Sequence, residues 1–335
     1  MPEHLLEVNN LKVSFFTHAG EVQAVRGTTF AIGTGEAVAL VGESGCGKSV
    51  TAQSIMRLIP DPPGRIVGGE ILFGGQDLAK LPEREMEKIR GNQIGMIFQD
   101  PMTSLNPTMT IGRQLTEGIV KHQGLPRREA EKRAVEMLAL VGIPQPDRRV
   151  KQYPHEFSGG MRQRVMIAIA LACEPRLLIA DEPTTALDVT IQAQIIELMK
   201  ELKDQTNTSI ILITHDLGVV AGLCSRVLVM YAGQIVESGT LDEVFYRPGH
   251  PYTYSLLRAV PRLDAKVKER LVSIPGQPPD LLNPPKGCSF APRCEFAMRI
   301  CQERPPEERA VNDGHFVKCW LTVPGAPQVS LKGVR

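Results

Sequence analysis

The glycine-rich segment at residues 42–49 constrains this chain more than any other part of its sequence. It consists of Gly42, Glu43, Ser44, Gly45, Cys46, Gly47, Lys48 and Ser49. An apolar run at residues 37–41 precedes it and predicts a buried strand, and residues 50–56 predict a helix. Strand, G-x-x-x-x-G-K-S and helix in this order are typical of a phosphate-binding loop. An ordinary glycine-rich turn is the alternative, and the complete set of fixed positions argues against it.

The residue types in this loop fit a nucleoside triphosphate. Glycine adopts positive φ without a steric penalty, so the backbone can curl around an anion. Exposed N–H groups and the start of the following helix then face the phosphates. Lys48 is predicted to reach the β- and γ-phosphates, and the Ser49 hydroxyl is predicted to ligate Mg²⁺. Residues 42–49, with Val50, therefore form the predicted loop that binds a nucleoside triphosphate.

Two further segments carry groups that suit hydrolysis of a nucleoside triphosphate. The apolar strand predicted at residues 177–181 ends in Asp181, which can hold Mg²⁺, and Glu182, which can polarise an attacking water. Another segment predicts a capped helix whose first N–H groups offer a second anion site; it contains Ser158, Gly159 and Gly160. A solvated strand end and a merely structural helix cap are the alternatives. The Asp181 pattern becomes specific because Lys48 and Ser49 stand upstream.

Charge and hydropathy exclude several classes of protein. Lys and Arg number 38 against 37 Asp and Glu, which gives no support for nucleic-acid binding. The longest apolar stretch, residues 165–173, is too short to span a bilayer. The first residues lack the basic region and apolar core of a signal peptide. We therefore expect a cytoplasmic protein that is peripheral to a membrane if an integral partner holds it.

The order of predicted elements indicates an α/β fold in the first 245 residues, because strands alternate with helices. Residues at about 100–173 are predicted to form a mostly helical insert. After residue 246 proline recurs, which predicts a separate, loop-rich tail. The predicted domains are therefore residues 1–245, with the helical subdomain inserted, and residues 246–335.

Together these motifs resemble the ATP-binding subunit of ABC transporters. After the loop, the family's order continues with Gln99, Ser158-Gly159-Gly160, Asp181-Glu182, Ala186-Leu187-Asp188 and His215. The resemblance covers roughly residues 5–245. It implies a P-loop NTPase fold, with a RecA-like core, an antiparallel β subdomain and a helical ABC subdomain.

The resemblance also implies roles for single residues. Gln99 would ligate Mg²⁺ and sense the nucleotide, Asp188 would communicate across a dimer of ATPases, and His215 would contact the γ-phosphate as a catalytic switch. Phe16, or its neighbour Phe15, would stack on adenine. In this family the serine-glycine-glycine segment caps the γ-phosphate bound to the other subunit, so two ATP molecules would lie sandwiched between two chains.

The C-terminal segment resembles one branch of the family, the dipeptide and oligopeptide importers. Residues 247–257 carry this resemblance together with residues 99–107 and 181–190, and the nearest match is the first of two paralogous types of dipeptide-importer ATPase. The branch implies a paralogous second ATPase subunit, two integral-membrane permeases and, indirectly, an extracytoplasmic peptide-binding protein, without nucleic acid. The chain would lie at the cytoplasmic face of the plasma membrane. Glutathione, murein peptides and nickel are the alternative cargoes.

The tail also contains four cysteines that suit a soft metal. They are Cys288, Cys294, Cys301 and Cys319. We favour a structural [4Fe–4S] cluster, because such clusters take four cysteines at wide spacing and the resemblance allows one here. Zinc, which usually has closer cysteine pairs, and free thiols are the alternatives. His315 is expected to be a surface histidine.

Two other classes of function compete with transport. A non-transport ABC ATPase acting on ribosomes or in DNA repair would usually carry tandem cassettes or long coiled-coil inserts, and the sequence shows neither. A redox-sensing protein would use the cluster itself as its function. The complete hydrolytic set argues against that, so the sequence favours an ATP-hydrolysing transporter subunit.

Overall fold

A computed structural model describes residues 4–184, 188–259 and 274–331. The chain divides into two compact units. We call the first the loop unit; it comprises Met1–Ile32, Val38–Ala79 and Thr214–Arg335. We call the second the helical unit; it comprises Gly33–Ala37 and Lys80–Ile213. No helix in the described ranges is long and apolar enough to cross a membrane.

The elements follow one another along the chain as strands interspersed with helices. The strands are β1 (Leu6–Thr17), β2 (Gly20–Ile32), β3 (Ala37–Val41), β4 (Gly64–Phe73), β5 (Gln76–Asp77), β6 (Ile94–Ile97), β7 (Leu177–Asp181), β8 (Ser209–Thr214), β9 (Arg226–Tyr231), β10 (Gln234–Thr240), β11 (Arg309–Asn312) and β12 (His315–Val317). The α-helices are α1 (Lys48–Ile55), α2 (Glu83–Ile89), α3 (Pro101–Ser104), α4 (Ile111–Gln123), α5 (Arg127–Leu140), α6 (Pro146–Arg149), α7 (Gly159–Leu171), α8 (Val189–Thr206), α9 (Leu217–Leu223), α10 (Leu241–Tyr246), α11 (Pro251–Ala259) and α12 (Arg299–Glu303).

The loop unit contains an antiparallel sheet and part of a parallel one. The antiparallel strands lie in the order β2, β1, β4, β5, with Leu6 opposite both Ile32 and Phe73. In the other sheet, β11, β12, β10, β9 and β3 are successive neighbours, and β3 runs parallel to β9. All five residues of β3 are buried, because a parallel strand covered on both faces requires a continuous apolar run.

The helical unit combines three parallel strands with a run of helices. Its strands lie in the order β8, β7, β6. Helix α5 shows why these sequences fold as amphipathic helices: its buried side chains recur at helical spacing. They are Ala130, Ala134, Met137 and Leu138. The predicted α/β fold is thus confirmed, whereas the predicted domain boundaries stay a prediction.

The described part of the tail contains regular structure despite its proline content, because β12 pairs with β10, placing Val317 opposite Glu237. The prediction that His315 lies at the surface is wrong. Its side chain is buried, and its Nε2 lies 2.8 Å from the Glu237 carboxylate. That carboxylate also accepts hydrogen bonds from the backbone N–H groups of Gly249 and His250. The buried carboxylate requires such partners, and the histidine is one of them.

Candidate nucleotide site

The loop at residues 42–49 follows β3 and includes the first two residues of α1. Glycine is required where the loop contacts other backbone. Gly47 caps α1 with φ +104°, and a Cβ there would lie 2.6 Å from the carbonyl oxygen of Ala24. At Gly42 a Cβ would lie 2.2 Å from the carbonyl oxygen of Met230. The loop therefore packs against β2 and the end of β9 at distances that exclude any side chain.

Lys48 is the buried cation of this loop, with only 5% of its surface exposed. Its Nζ donates to the carbonyl oxygens of Gly42 at 2.8 Å and Glu43 at 3.0 Å. A buried ammonium needs such acceptors, and a phosphate oxygen is a stronger one. The donor set of ammonium, loop N–H groups and the start of α1 fits a polyphosphate.

Other side chains of the loop unit differ in their access to solvent. Phe16 is 50% exposed, whereas Phe15 packs against Gly64, where a Cβ would lie 2.8 Å from the phenyl Cε1. Of the two, Phe16 is therefore the aromatic ring with a free face for stacking.

Cys46 is buried, and burial raises the pKa of its thiol, which stays neutral at pH 7. His215 is exposed and directly follows β8.

In the helical unit, two predicted site residues meet at the end of β7. Asp181 is the last residue of that strand and is buried. Glu182 follows with φ +48°, and its N–H donates to the carbonyl of Ile213 at 2.9 Å. Its carboxylate accepts a hydrogen bond from the Gln99 amide at 3.0 Å. Strained backbone at a non-glycine residue is typical of functional sites.

Two helix starts in the same unit carry the remaining motifs. Ser158 caps α7 by accepting from the Met161 N–H at 3.4 Å, and Asp188 caps α8 by accepting from the Ile191 N–H at 3.0 Å. A Cβ at Gly160 would lie 3.1 Å from Ile191 Cγ2, so the two helix starts pack together. The motif residues Ala186 and Leu187 lie outside the described residues.

The prediction of an iron–sulfur cluster is wrong. The four tail cysteines line one small cavity with apolar neighbours such as Phe290, but the described ranges contain no group of three or more His, Cys, Asp or Glu side chains that could hold a metal ion. Burial raises the pKa of Cys294 to about 11 and that of Cys319 to about 12. Both are therefore neutral thiols at pH 7 in the chain without a metal, and they pack as small apolar side chains.

The sequence analysis missed two contacts with the loop. The Tyr252 hydroxyl accepts a hydrogen bond from the Glu43 N–H at 2.8 Å, and the Arg293 guanidinium pairs with the Glu43 carboxylate. Tyr252 lies in the tail segment that resembles peptide importers, which was a signal available in the sequence. Arg293 had no such signal, because 250 residues separate it from Glu43.

Three features are together typical of an ATP-binding subunit of the ABC class. They are the glycine loop with its lysine between a buried strand and a helix, the strand that ends in Asp181-Glu182, and the capped start of α7. The ABC transporter family model matches residues 25–185, and the model for the C-terminal region of oligopeptide/dipeptide transporters matches residues 236–301. A solved dimeric ATP-binding cassette with bound ADP and Pi is similar in fold, with a TM-score of 0.64 and 28% identity. It covers 70% of this chain, and the match spans 98% of that chain.

Curated relatives define the group more narrowly. The oligopeptide transport ATP-binding protein OppD of Bacillus subtilis is 63% identical over 97% of this chain and 91% of its own length. The dipeptide transport ATP-binding protein DppD of the same species is 56% identical over 99% and 98%. OppD of Escherichia coli is 57% identical over 95% and 94%. The chain therefore belongs to the ABC transporter family, in the group of oligopeptide and dipeptide transport ATP-binding proteins, and it is an ABC-type ATPase.

Proposed function

We propose that this chain hydrolyses ATP to power the import of dipeptides or oligopeptides through two integral-membrane permeases, at the cytoplasmic face of the membrane. The observation that carries the proposal is the identity of 56% or more, over nearly the whole chain, with ATP-binding proteins of oligopeptide and dipeptide transport. The match of residues 236–301 to the C-terminal region of such transporters supports the same class of cargo. The proposed ATPase domain is residues 1–245, followed by the importer extension.

For the chemistry, we propose that Lys48 and the N–H groups of residues 42–50 bind the phosphates and that Phe16 stacks on adenine. The buried ammonium and the exposed ring support these roles. Mg²⁺ would be held by Ser49, Gln99 and Asp181, whose hydroxyl, amide and carboxylate oxygens are the ligands it prefers. Glu182 would orient and deprotonate the attacking water, with its carboxylate held by the Gln99 amide, and His215 would contact the γ-phosphate.

We further propose that ATP acts by closing a pair of ATPase subunits, of which this chain is one and a paralogue the other. The helix start at residues 158–160 and Asp188 would face the partner's nucleotide. No heavy atom of the described chain beyond the immediate neighbours lies within 4 Å of a Cβ placed at Gly159, so this helix start is open to a ligand. Phosphate contacts made only in the closed pair favour closure, and hydrolysis removes that difference.

The experiment is peptide uptake by cells that lack their own peptide importers. The genes for this chain, two permeases, the second ATPase and a binding protein are expressed together, and labelled dipeptide, tetrapeptide and nickel uptake are measured. We expect peptide uptake that is lost in Lys48→Met at equal expression, and co-purification of this chain with both permeases from detergent-solubilised membranes. Nickel uptake without peptide uptake would refute the proposed cargo, and isolation of this chain free of any permease would refute the transporter assignment.

A further inference from the structure

The C-terminal tail is joined to the phosphate loop by a buried ion pair. Arg293 lies in the tail, and its Nη1 and Nη2 donate to the two carboxylate oxygens of Glu43 at 2.6 and 2.9 Å. Only 4% of the arginine side chain and 25% of the glutamate side chain are exposed. Two parallel hydrogen bonds between guanidinium and carboxylate form the strongest and most directional kind of ion pair, so this contact fixes orientation as well as charge.

Arg293 is held in place by groups other than Glu43. Its Nε donates to the carbonyl oxygen of Pro275 at 2.9 Å, and its Nη1 also lies 3.3 Å from the Tyr231 hydroxyl. The guanidinium lies over the Tyr231 and Phe290 rings, 5.8 and 6.0 Å from their centroids. Hydrogen bonding to Glu43 raises the pKa of Arg293. The guanidinium is thus a rigid, permanently charged support.

Glu43 is bound through its backbone as well as its side chain. Its N–H donates to the hydroxyl of Tyr252, which is fully buried, at 2.8 Å. Its carbonyl oxygen accepts from Lys48 Nζ at 3.0 Å. Glu43 therefore links the Arg293 guanidinium, which its side chain binds, to the Lys48 ammonium, which its carbonyl oxygen binds.

Within the same unit, other residues of the tail contact strands β2 and β9. The N–H of Gln23 donates to the carbonyl oxygen of Leu281 at 3.0 Å, and Arg26 Nη1 donates to the Ser289 hydroxyl at 3.0 Å. Phe290 packs edge-on against Tyr231, with ring centroids 5.3 Å apart. These contacts hold the segment that carries Arg293 against the strand next to the phosphate loop, so its position does not depend on one ion pair.

We infer that Arg293 is a positioning residue for ATP binding. Through it, the C-terminal tail supports the phosphate loop. It holds the Glu43 peptide at the position that orients Lys48, and it neutralises a carboxylate that would otherwise repel the phosphates of ATP. Loss of Arg293 leaves that carboxylate unpaired beside the loop. The affinity for MgATP then falls, whereas the catalytic step on bound ATP, which depends on Glu182, changes little.

The test measures MgATP binding and hydrolysis in the full chain for Arg293→Met, Arg293→Lys, Glu43→Gln and the double variant. We expect Arg293→Met to raise the Kd and KM for MgATP roughly tenfold, within the usual range of coupling between two sites, with kcat changed less than about twofold. Arg293→Lys keeps the positive charge but cannot form the two parallel hydrogen bonds, so it recovers only part of the MgATP affinity. In the Glu43→Gln background Arg293→Met has at most about a threefold effect, because no carboxylate is left unpaired.

The matched control is Arg299→Met, which removes an arginine of the same tail that is 94% exposed and pairs with Glu303; it leaves Kd and KM unchanged. An Arg293→Met chain that unfolds at lower denaturant but binds MgATP like the wild type would overturn the inference, since its role would then be structural only. An equal loss in the Glu43 and Glu43→Gln backgrounds would overturn it as well. If Arg293→Met does not fold, Arg293→Lys and Glu43→Gln still decide the question through the split between KM and kcat.

Discussion

Gly47→Ala is the substitution for which the structure gives the clearest magnitude. Gly47 has φ +104°, and a Cβ there would lie 2.6 Å from the carbonyl oxygen of Ala24 and 3.0 Å from Met230 Cε. The unfavourable φ costs about 1–2 kcal/mol for a residue with a Cβ. Forcing a methyl group against packed atoms costs about 1–3 kcal/mol more. The expected loss of unfolding free energy is therefore about 2–5 kcal/mol.

Gly45→Ala is the matched control within the same loop. Gly45 also has positive φ, +76°, but a Cβ there would meet no heavy atom of the described chain within 4 Å, its chain neighbours aside. It should lose only the conformational cost of about 1–2 kcal/mol. The difference between the two variants isolates the contacts of the loop with β2 and β9.

The assay is equilibrium denaturant unfolding without nucleotide, followed by the same titration in saturating MgATP. Gly47→Ala should unfold at a clearly lower denaturant concentration than Gly45→Ala, and it should gain less stabilisation from MgATP. Saturation at a hundred times Kd adds about 2.7 kcal/mol when the loop binds normally. Equal unfolding midpoints for the two variants would refute the argument that close packing of the loop backbone selects glycine at position 47.

Three further predictions concern one residue each. Lys48→Met removes the ammonium bonded to the loop carbonyls, so MgATP affinity measured by calorimetry should fall about 10- to 150-fold, the loss of one charge-assisted hydrogen bond. Ser158→Ala removes the α7 cap at a cost of about 1 kcal/mol; MgATP binding should persist while hydrolysis by the assembled subunits falls at least tenfold. Burial lowers the pKa of His250 to about 4 from the ordinary 6.5, so the unfolded chain takes up the proton first as pH falls, and stability should decline by about 3 kcal/mol between pH 6.5 and 4.

Each of these has its own control. Normal MgATP affinity in Lys48→Met would contradict the phosphate role, and loss of binding in Ser158→Ala would contradict its role toward the partner's nucleotide. In the wild type, the Tyr252 N–H donates to His250 Nδ1 at 3.0 Å. His250→Asn keeps an acceptor for this N–H, and the asparagine side chain does not titrate. Its pH dependence should therefore be weaker than that of the wild type, and an identical decline would assign the effect to other groups.

The parts of the fold that follow from the sequence are those with a strong local signal. The buried strands at residues 37–41 and 177–181 form with the predicted bounds, because short apolar runs bounded by glycine or acids have the length of a buried strand and are too short for a typical helix. Helix α1 begins at Lys48 and not at residue 50. The reason is the left-handed Gly47, which ends the loop and starts the helix in one residue.

The parts that could not be predicted depend on contacts between distant segments. Arg293 reaches Glu43 across 250 residues, and His315 is buried because Glu237, 78 residues away, needs a partner. Neither contact leaves a pattern of spacing in the sequence. The cysteine prediction failed for another reason. The four cysteines do line one small cavity, but their number and the intervals between them do not reveal whether the thiols are arranged to hold a metal ion.

Glu182→Gln is the decisive test of whether this chain hydrolyses ATP with Glu182 as the general base. MgATP binding and turnover are measured in the assembled transporter, with Glu197→Gln, an exposed residue of α8, as the matched control. We predict that Glu182→Gln binds MgATP like the wild type while turnover falls at least about 100-fold, the usual contribution of a general base. Unchanged turnover in Glu182→Gln would exclude Glu182 as the general base.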